Sequence, residues 1–321
     1  MRIAIVIPCF RVAAHIQAVL AGIPAMVSHI LVVDDCCPEG SGDVAAGVAG
    51  SDPRIEVLRH PVNRGVGGAM ITGYRRALEL DCDVVIKMDG DGQMDPAEIP
   101  HLLEPLESGR VDYTKGNRFQ HFAALSAMPL ARLFGNSALS FLVKAASGHW
   151  AVMDPTNGYT AIHRRALAEL DLDGLAPRYF FECDLLIALG IAGVPVEDVA
   201  IPARYGDENS SLRISRVLLD FPPLLLRRFL RRVFIRYFIA DFTIGSLYLV
   251  VGSLMLAFGI VVGAAEWLRS IESGVVRSAG TVMLVAMPVI LGVQLLLQAI
   301  AHDIAASPKP RAPAPLPERR E

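Results

Sequence analysis

Four short apolar runs, rich in β-branched residues, recur in the first third of the chain and constrain its fold more than any other feature. They are residues 3–7, 30–33, 55–58 and 84–88. Stretches that suit helices, such as residues 13–21 and 67–80, lie between them. Because strands that alternate with helices build βαβ units, we expect a mostly parallel sheet with helices on both faces. The sequence therefore predicts an α/β domain of the Rossmann-like, doubly wound type.

The fourth run ends at two carboxylates, Asp89 and Asp91, which Gly90 separates. Two acidic side chains at this spacing can bind one hard divalent cation, which completes its coordination with water and with phosphate oxygens of a substrate. Open α/β sheets also bind their ligands at the carboxyl ends of strands. The motif therefore predicts a phosphate-bearing substrate bridged by a divalent metal ion. An acidic turn that only keeps a loop solvated is the alternative.

Polar residues follow the other three runs as well. Residues 8–11 come after the first run, and Asp34 and Asp35 open the loop after the second. Residues 63–69, which are rich in glycine, come after the third run and before a helix. An acidic pair at a strand end can accept hydrogen bonds from a ribose hydroxyl or a base N–H, and glycines allow the backbone to approach a ligand. We expect these loops to form one nucleotide site with the metal motif.

The middle of the chain is more mixed. We expect a helix over residues 125–146, a loop at 154–158, strands at 159–163 and 196–201, and a helix over 180–189. The five cysteines show no metal-site spacing. In a reducing compartment we therefore expect no disulfides, and core positions for most of these cysteines.

Two long apolar runs, residues 239–268 and 281–300, lie near the end of the chain. The first contains only Asp241 and Glu266 as charged residues, and the second contains none. Each run reaches the roughly 20 residues that cross the hydrocarbon core of a bilayer. We therefore expect two antiparallel transmembrane helices. A buried helix hairpin of a soluble protein is the alternative.

Arginines are concentrated just before the first apolar run. They are Arg213, Arg216, Arg227, Arg228, Arg231, Arg232 and Arg236. The positive-inside rule puts this flank in the cytoplasm, and two spans return the tail to the same side. We expect an integral protein of a bacterial-type cell membrane, with its catalytic domain and both termini cytoplasmic. Because the arginines adjoin a span, we expect them to meet anionic headgroups and not a nucleic acid.

These features divide the chain into four parts. We expect a catalytic domain over residues 1–211 and basic amphipathic helices at the bilayer surface over 212–238, which Pro222 and Pro223 break into two pieces. A transmembrane hairpin over 239–304 follows. The remaining residues, 305–321, are rich in proline and are predicted to be disordered.

The order and spacing of these motifs resemble glycosyltransferase family 2, which has the GT-A fold. Within it, the chain is similar to the dolichol-phosphate mannosyltransferase and bacterial polyprenyl-phosphate glycosyltransferase branch. The resemblance covers residues 3–215 and depends on DGDGQ at 89–93 and on Asn-x-Gly-x-Gly-Gly-Ala at 63–69. It implies a metal-dependent, inverting transfer of a hexosyl group from a UDP- or GDP-sugar to a polyprenyl phosphate at the cytoplasmic membrane face.

The resemblance also implies roles for the residues that match the motifs. The expected donor contacts are Pro8, Asp35, Asn63, Gly65, Gly68, Asp89 and Gly90. The expected ligands of Mg²⁺ or Mn²⁺ are Asp89, Asp91 and Gln93. Asp154 is the expected catalytic residue beside the reacting sugar, together with Asp91 of the metal motif. The expected contacts to the acceptor phosphate are Arg118, Arg132, Arg204 and Ser210.

The chain departs from the family pattern in two places. The usual Asp-Asp-Gly-Ser is Asp34-Asp35-Cys36-Cys37 here. The late Arg-x-x-Gly-x-Ser-Lys element appears at residues 204–211 with its glycine one place closer to the arginine and without the lysine. These departures affect the geometry of the acceptor site and the choice of donor, and leave the reaction class unchanged.

Several alternatives remain open at the level of sequence. A lipid or glycan hydroxyl could be the acceptor, with Asp154 or Asp184 as general base. The protein could instead bind a nucleotide sugar without catalysis. Glu182 and Asp184 could form a catalytic pair or could orient a helix. Association of copies of the chain through small residues of the first span, such as Gly252 and Gly259, is a further hypothesis.

Overall fold

The computed structural model describes residues 1–118, 130–202 and 214–312, with the side chains of 130–134, 136 and 214–220 outside the description. The chain forms two compact units. One contains residues 1–229 together with the tail from Pro308, and the other contains Leu230–Ser307. Each unit is described by itself below.

The first unit is built on a seven-stranded mixed sheet. Its strands are β1 (Ile3–Cys9), β2 (His29–Asp34), β3 (Ile55–Arg59), β4 (Val84–Lys87), β5 (Tyr113–Asn117), β6 (Thr160–His163) and β7 (Val196–Ala200). Their order is β3-β2-β1-β4-β6-β5-β7, and only β6 runs antiparallel to its neighbours. The mostly parallel α/β sheet predicted from the apolar runs is confirmed.

The described helices alternate with these strands. They are α1 (Ile16–Gly22), α2 (Ser41–Ala49), α3 (Gly65–Glu79), α4 (Ile99–Glu107), α5 (Leu130–Ser147), α6 (Arg164–Glu169), α7 (Phe181–Ala192), α8 (Ile214–Phe234), α9 (Ile244–Ser273) and α10 (Ala279–Ala305). Both faces of the sheet are covered, so that along β1 Ala4 and Val6 enter one core cluster while Ile5 and Ile7 enter the other. Burial on both faces explains why β1 and β2 read as continuous apolar runs and not as alternating patterns.

The basic segment before the apolar runs forms one long helix. Helix α8 continues through Pro222 and Pro223, so the predicted break into two pieces is wrong. An interior proline costs a helix about 3 kcal/mol, and burial of neighbouring side chains offsets that cost. Phe221 and Leu225, on either side of the prolines, are both buried in the core of the first unit.

The second unit contains α9 and α10, which have 30 and 27 residues and are long and apolar enough to span a membrane. Small residues line their contact. A Cβ atom added to Gly252 would lie 3.1 Å from the Gly292 carbonyl oxygen, and one on Gly292 would lie 2.7 Å from the Leu256 nitrogen. Gly252, which the sequence suggested for contacts between chains, therefore packs against a helix of its own chain.

Not every arginine of the basic segment is oriented for headgroups. Arg232 is buried in the second unit and donates to both oxygens of Asp303, at 2.8 and 3.0 Å. Tyr237 Oη donates to the same carboxylate at 2.7 Å. The expectation that this arginine meets anionic lipid is wrong, because a buried guanidinium is stable only when a carboxylate pairs with it.

The tail returns to the first unit. The Arg311 backbone N–H donates to the Arg110 carbonyl at 2.7 Å, and its guanidinium donates to Asp112 at 2.8 Å. Asp112 is buried and also pairs with Arg165. The described part of the tail, which ends at Ala312, is therefore attached to the start of β5, and residues 313–321 lie outside the description.

Candidate active site

The topology collects the candidate residues at one edge of the sheet. Strands β1, β2, β4 and β5 run in the same direction, so the loops that follow them emerge together. Because β6 runs antiparallel between β4 and β5, the loop that precedes it, 154–158, also lies at this edge. The carboxyl edge of an open α/β sheet is where such folds bind ligands.

Asp35, the expected donor contact, orders the start of α3. Its two carboxylate oxygens accept hydrogen bonds from the backbone N–H groups of Arg64 and Gly65, at 2.8 and 2.7 Å. His60 Nδ1 lies 2.8 Å from the same carboxylate, and Asn63 Nδ2 donates to the Asp35 carbonyl. The N–H groups of a helix's first turn have no partner within the helix, which is why a carboxylate is stable here.

The glycines that begin α3 leave room for backbone of the same protein. A Cβ on Gly65, whose φ is +82°, would lie 2.7 Å from the Pro177 carbonyl oxygen, and one on Gly67 would lie 2.3 Å from that of Ala176. The Gly68 N–H donates to Pro177 at 2.9 Å. The sequence suggested that these glycines allow close approach of a ligand. The structure shows that the segment 176–178 is what approaches them.

Cys36 and Cys37 replace the glycine and serine of the family pattern. Cys36 adopts a backbone conformation that is strained for a non-glycine residue, whereas Cys37 makes hydrogen bonds as a serine would. Cys36 has a φ of +55°, a left-handed conformation that favours the glycine of the family pattern. Cys37 takes the place of the serine, and its Sγ accepts the Arg11 N–H at 3.1 Å and lies 3.0 Å from Ser41 Oγ. Partial burial raises the pKa of the Cys37 thiol, but these hydrogen bonds outweigh it and the pKa is lowered.

The metal motif is accessible and carries hard oxygen donors. The Asp89 side chain is 35% exposed, Gln93 is exposed, and Asp91 Oδ1 accepts the Gln93 N–H at 3.0 Å. Within residues 1–118, 130–202 and 214–312, no group of three or more His, Cys, Asp or Glu side chains could hold a metal. Two carboxylates and an amide nevertheless suit Mg²⁺ or Mn²⁺ when phosphate oxygens and water supply the remaining ligands.

Sequence reasoning missed Lys87, which lies directly beneath this motif. Its side chain is 2% exposed, and its Nζ lies 2.7 Å from Asp89 Oδ1 and 3.3 Å from Glu182 Oε1. Burial lowers the pKa of Lys87, but the two carboxylates outweigh it and raise that pKa above its ordinary value. The available signal was a lysine inside an otherwise apolar strand that ends at the motif.

Asp154 is joined to Arg118. The Asp154 carboxylate is completely buried and accepts Arg118 Nε at 2.8 Å and Nη2 at 3.2 Å, while the guanidinium side chain is 40% exposed. The residue expected to act on the sugar and the one expected to bind the acceptor phosphate therefore form one bidentate pair. Lys115 is a buried cation on the same strand end, where it donates to the Asn157 carbonyl. Burial lowers the pKa of Lys115.

The two carboxylates at the start of α7 have different surroundings. Glu182 pairs with Lys87, as described above. Asp184 is buried, and its Oδ2 accepts the Ala176 N–H at 2.8 Å and Arg228 Nη2 at 2.6 Å. Asp184 therefore attaches helix α8 to the segment 174–178, which favours the helix-orienting interpretation over catalysis.

The remaining expected residues are in mixed positions. Pro8 is half-buried near the end of β1. A Cβ added to Gly90 would lie 3.1 Å from Cγ2 of Val12, which is in the loop that follows β1. Arg204 and Ser210 lie outside the described residues, and the Arg132 side chain is also outside the description.

Comparison with known proteins identifies this arrangement. The family model of glycosyl transferase family 2 matches residues 4–171. The undecaprenyl-phosphate mannosyltransferase of Micrococcus luteus is 32% identical over 63% of this chain and 83% of its own. The UDP-N-acetylglucosamine–dolichyl-phosphate N-acetylglucosaminyltransferase of Methanococcus voltae is 32% identical over 52% and 66%.

A solved structure shows the same fold. Glucosyl-3-phosphoglycerate synthase from Mycobacterium tuberculosis, crystallised with Mn²⁺, UDP and glucosyl-3-phosphoglycerate, superposes with a TM-score of 0.50 at 21% identity. The match covers 75% of this chain and 81% of that one. The sheet edge that gathers Asp89, Asp91 and Asp154 is thus part of a GT-A fold, and both relatives are transferases of sugars. The chain belongs to glycosyl transferase family 2 and is a glycosyltransferase.

Proposed function

We propose that this enzyme transfers a hexosyl group, with inversion, from a nucleoside-diphosphate sugar to a polyprenyl phosphate at the cytoplasmic face of a membrane. The observation that carries the proposal is the buried Asp154 carboxylate, which pairs with Arg118 and lies on a loop whose last residue, Gly158, is next to Asp89. A Cβ on Gly158 would lie 3.0 Å from Asp89 Oδ2. This proximity supports a single site that combines the Asp154–Arg118 pair with Asp89 of the metal motif.

The donor would bind along the strand ends of β1, β2 and β4. Asp35 and Asn63 are the proposed nucleoside contacts, with Pro8, Gly65, Gly68 and Gly90 nearby. Asp89, Asp91 and Gln93 would hold Mg²⁺ or Mn²⁺, which, when bound, stabilises the negative charge of the departing diphosphate. This assignment uses oxygen donors in a loop at a strand end, a setting that suits these ions.

The acceptor side requires a cation more than it requires a base. A phosphate monoester, whose second pKa is about 6, is mostly dianionic at neutral pH and is already nucleophilic. Arg118 can present its planar donors to that phosphate while Asp154 holds the guanidinium in place. Arg132, Arg204 and Ser210 are proposed to complete the acceptor site. Because both Asp154 oxygens accept from Arg118, we propose that Asp154 positions this arginine.

The sugar is the part of the reaction in which the relatives differ. The two relatives named above transfer different groups, mannosyl and N-acetylglucosaminyl, as their names state. The choice between a UDP- and a GDP-sugar is therefore the variable to be screened, with the lipid-phosphate acceptor held constant.

The full-length protein in detergent can be incubated with labelled UDP- and GDP-sugars and a short-chain polyprenyl phosphate, followed by extraction of the lipid. We expect one donor to label the lipid phosphate, and the matched polyprenol without phosphate to stay unlabelled. Asp89→Asn and Asp154→Asn should each lower the rate by about a hundredfold or more. Asp173→Asn, which changes a largely exposed carboxylate, is the control and should leave it unchanged.

Two outcomes would contradict the proposal. One is full activity of Asp89→Asn, and the other is transfer to the polyprenol at the rate seen with its phosphate. The second outcome would point to a hydroxyl acceptor. A pH–rate profile would then show an ionisation that Asp154→Asn removes.

A further inference from the structure

The proposed reaction assigns no role to the buried lysine of strand β4. Lys87 is the last residue of β4, two residues before Asp89, and its ammonium is enclosed by two carboxylates. A buried charge is costly even when it is paired, and an apolar residue at such a position is often as stable or more so. A lysine here therefore calls for an explanation beyond packing.

We propose that Lys87 is a positioning residue that holds Asp89 in the ligand-free enzyme and makes binding of the divalent ion depend on the nucleoside diphosphate. The inference rests on the proposed function, since it assumes that Asp89 is a metal ligand. It assigns Glu182 the role of a second anchor that keeps the ammonium in place when Asp89 turns to the metal.

The charge of Lys87 affects how a cation meets Asp89. The ammonium lies 2.7 Å from Asp89 Oδ1, so a divalent cation that approaches Asp89 alone meets a carboxylate that is already neutralised. A diphosphate brings negative charge to the same place and offsets the repulsion between the two cations. Because linkage is reciprocal, the metal then strengthens nucleotide binding by the same factor.

The position of Lys87 is fixed by two further groups. Glu182 Oε1 lies 3.3 Å from Lys87 Nζ, and the Glu182 side chain is only 15% exposed. A Cβ on Gly158 would lie 2.4 Å from Lys87 Nζ, so the absence of a side chain there is what makes room for the ammonium. Lys87 thus connects the metal motif, the start of α7 and the loop that carries Asp154.

The test measures binding of Mn²⁺ to the purified full-length protein from the electron paramagnetic resonance signal of free Mn²⁺, with and without UDP or GDP. In the wild type we expect the nucleotide to raise Mn²⁺ affinity by about tenfold or more, within the usual range of coupling between sites. In Lys87→Met we expect Mn²⁺ without nucleotide to bind about tenfold more tightly, and the nucleotide effect to shrink. A purely structural role would not strengthen metal binding.

Two further variants keep the test decisive. Lys87→Met/Glu182→Gln removes one charge of each sign, so it retains charge balance if the single variant unfolds, and it should show the same gain. Lys87→Met/Asp89→Asn should lose the gain, because the freed ligand is gone. The inference would be overturned if, without nucleotide, the wild type, Lys87→Met and Lys87→Met/Glu182→Gln all bound Mn²⁺ with equal affinity.

The result can be separated from failure of the proposed function. If the wild type transfers sugar to polyprenyl phosphate and binds Mn²⁺ with nucleotide, yet replacement of Lys87 leaves the coupling unchanged, only this inference is wrong. If the wild type neither binds a nucleotide nor transfers a sugar, the proposed function is wrong and the inference falls with it.

Discussion

At the scale of single residues, the chemistry of this edge of the sheet depends on buried charges that are paired in specific ways. Asp154 is bonded to Arg118, Asp89 to Lys87 and Asp184 to Arg228. In each pair one member was identified from a motif or a nearby pattern, and the pairing itself came from the fold. Removal of one partner leaves an uncompensated charge, so conservative variants are the informative ones.

Asp198 on β7 gives a prediction about pH. Its Oδ2 accepts the Met153 N–H at 2.6 Å and Asn117 Nδ2 at 3.1 Å, whereas Oδ1 is buried and has no hydrogen-bond partner among the described residues. Burial raises the pKa of Asp198 from 3.8 to about 6. The folded state therefore binds this proton more tightly than the unfolded state does, so the contribution of Asp198 to stability is lost as the pH rises from about 4 to about 6.

Asp198→Asn, which cannot ionise, should remove that pH dependence. We expect the wild type to lose on the order of 2 kcal/mol relative to the variant between these pH values. Thermal unfolding of both proteins in detergent at several pH values measures the difference. Parallel curves for the two proteins would show that Asp198 titrates normally.

At the scale of elements, helix α8 is attached to the catalytic unit by specific contacts. Arg228 donates to Asp184 and to the Gly174 carbonyl, at 2.6 and 2.8 Å. The segment that follows Gly174 packs against the glycines at the start of α3, close to the proposed donor site. Helix α8 is therefore connected, through residues 174–178, to the glycines at the start of α3.

Arg228→Ala should destabilise the catalytic unit by about 3 kcal/mol, because it leaves the buried Asp184 carboxylate without its cation. The adjacent Arg227 is exposed, and Arg227→Ala should change stability by less than about 0.5 kcal/mol. Thermal unfolding of the two variants side by side makes the comparison. Equal effects would mean that the basic character of the helix matters and the individual ion pair does not.

At the scale of the whole molecule, we predict that the N-terminus and the tail lie on the same side of the membrane. Arg311, after the second apolar helix, contacts Arg110 and Asp112 of the catalytic unit. Epitope tags at both termini should therefore share the same protease sensitivity in vesicles of either orientation, and the proposed topology makes that side cytoplasmic. A tag between α9 and α10, at residues 274–278, should show the opposite pattern, and termini on opposite sides would exclude a hairpin.

Local patterns in the sequence were sufficient for the architecture and for the reaction class. Runs of β-branched residues predicted the parallel strands β1, β2 and β4, because most positions of a strand buried on both faces are apolar. The DGDGQ motif was identifiable because it is a contiguous cluster of functional groups, and Asp154 was singled out by the resemblance to the family. The two apolar helices followed from length and hydropathy alone.

Tertiary structure decided which groups meet, because a partner distant along the chain leaves no local signal. Lys87 and Glu182 are 95 residues apart in number, yet their charges form one ion pair. The glycines at the start of α3 were expected to let a ligand approach, and nothing in the sequence indicated that residues 176–178 pack against Gly65 and Gly67. The sequence by itself determined the elements and the candidate chemistry, whereas only the packed sheet determined the partner of each charge, since burial removes water and makes those pairings obligatory.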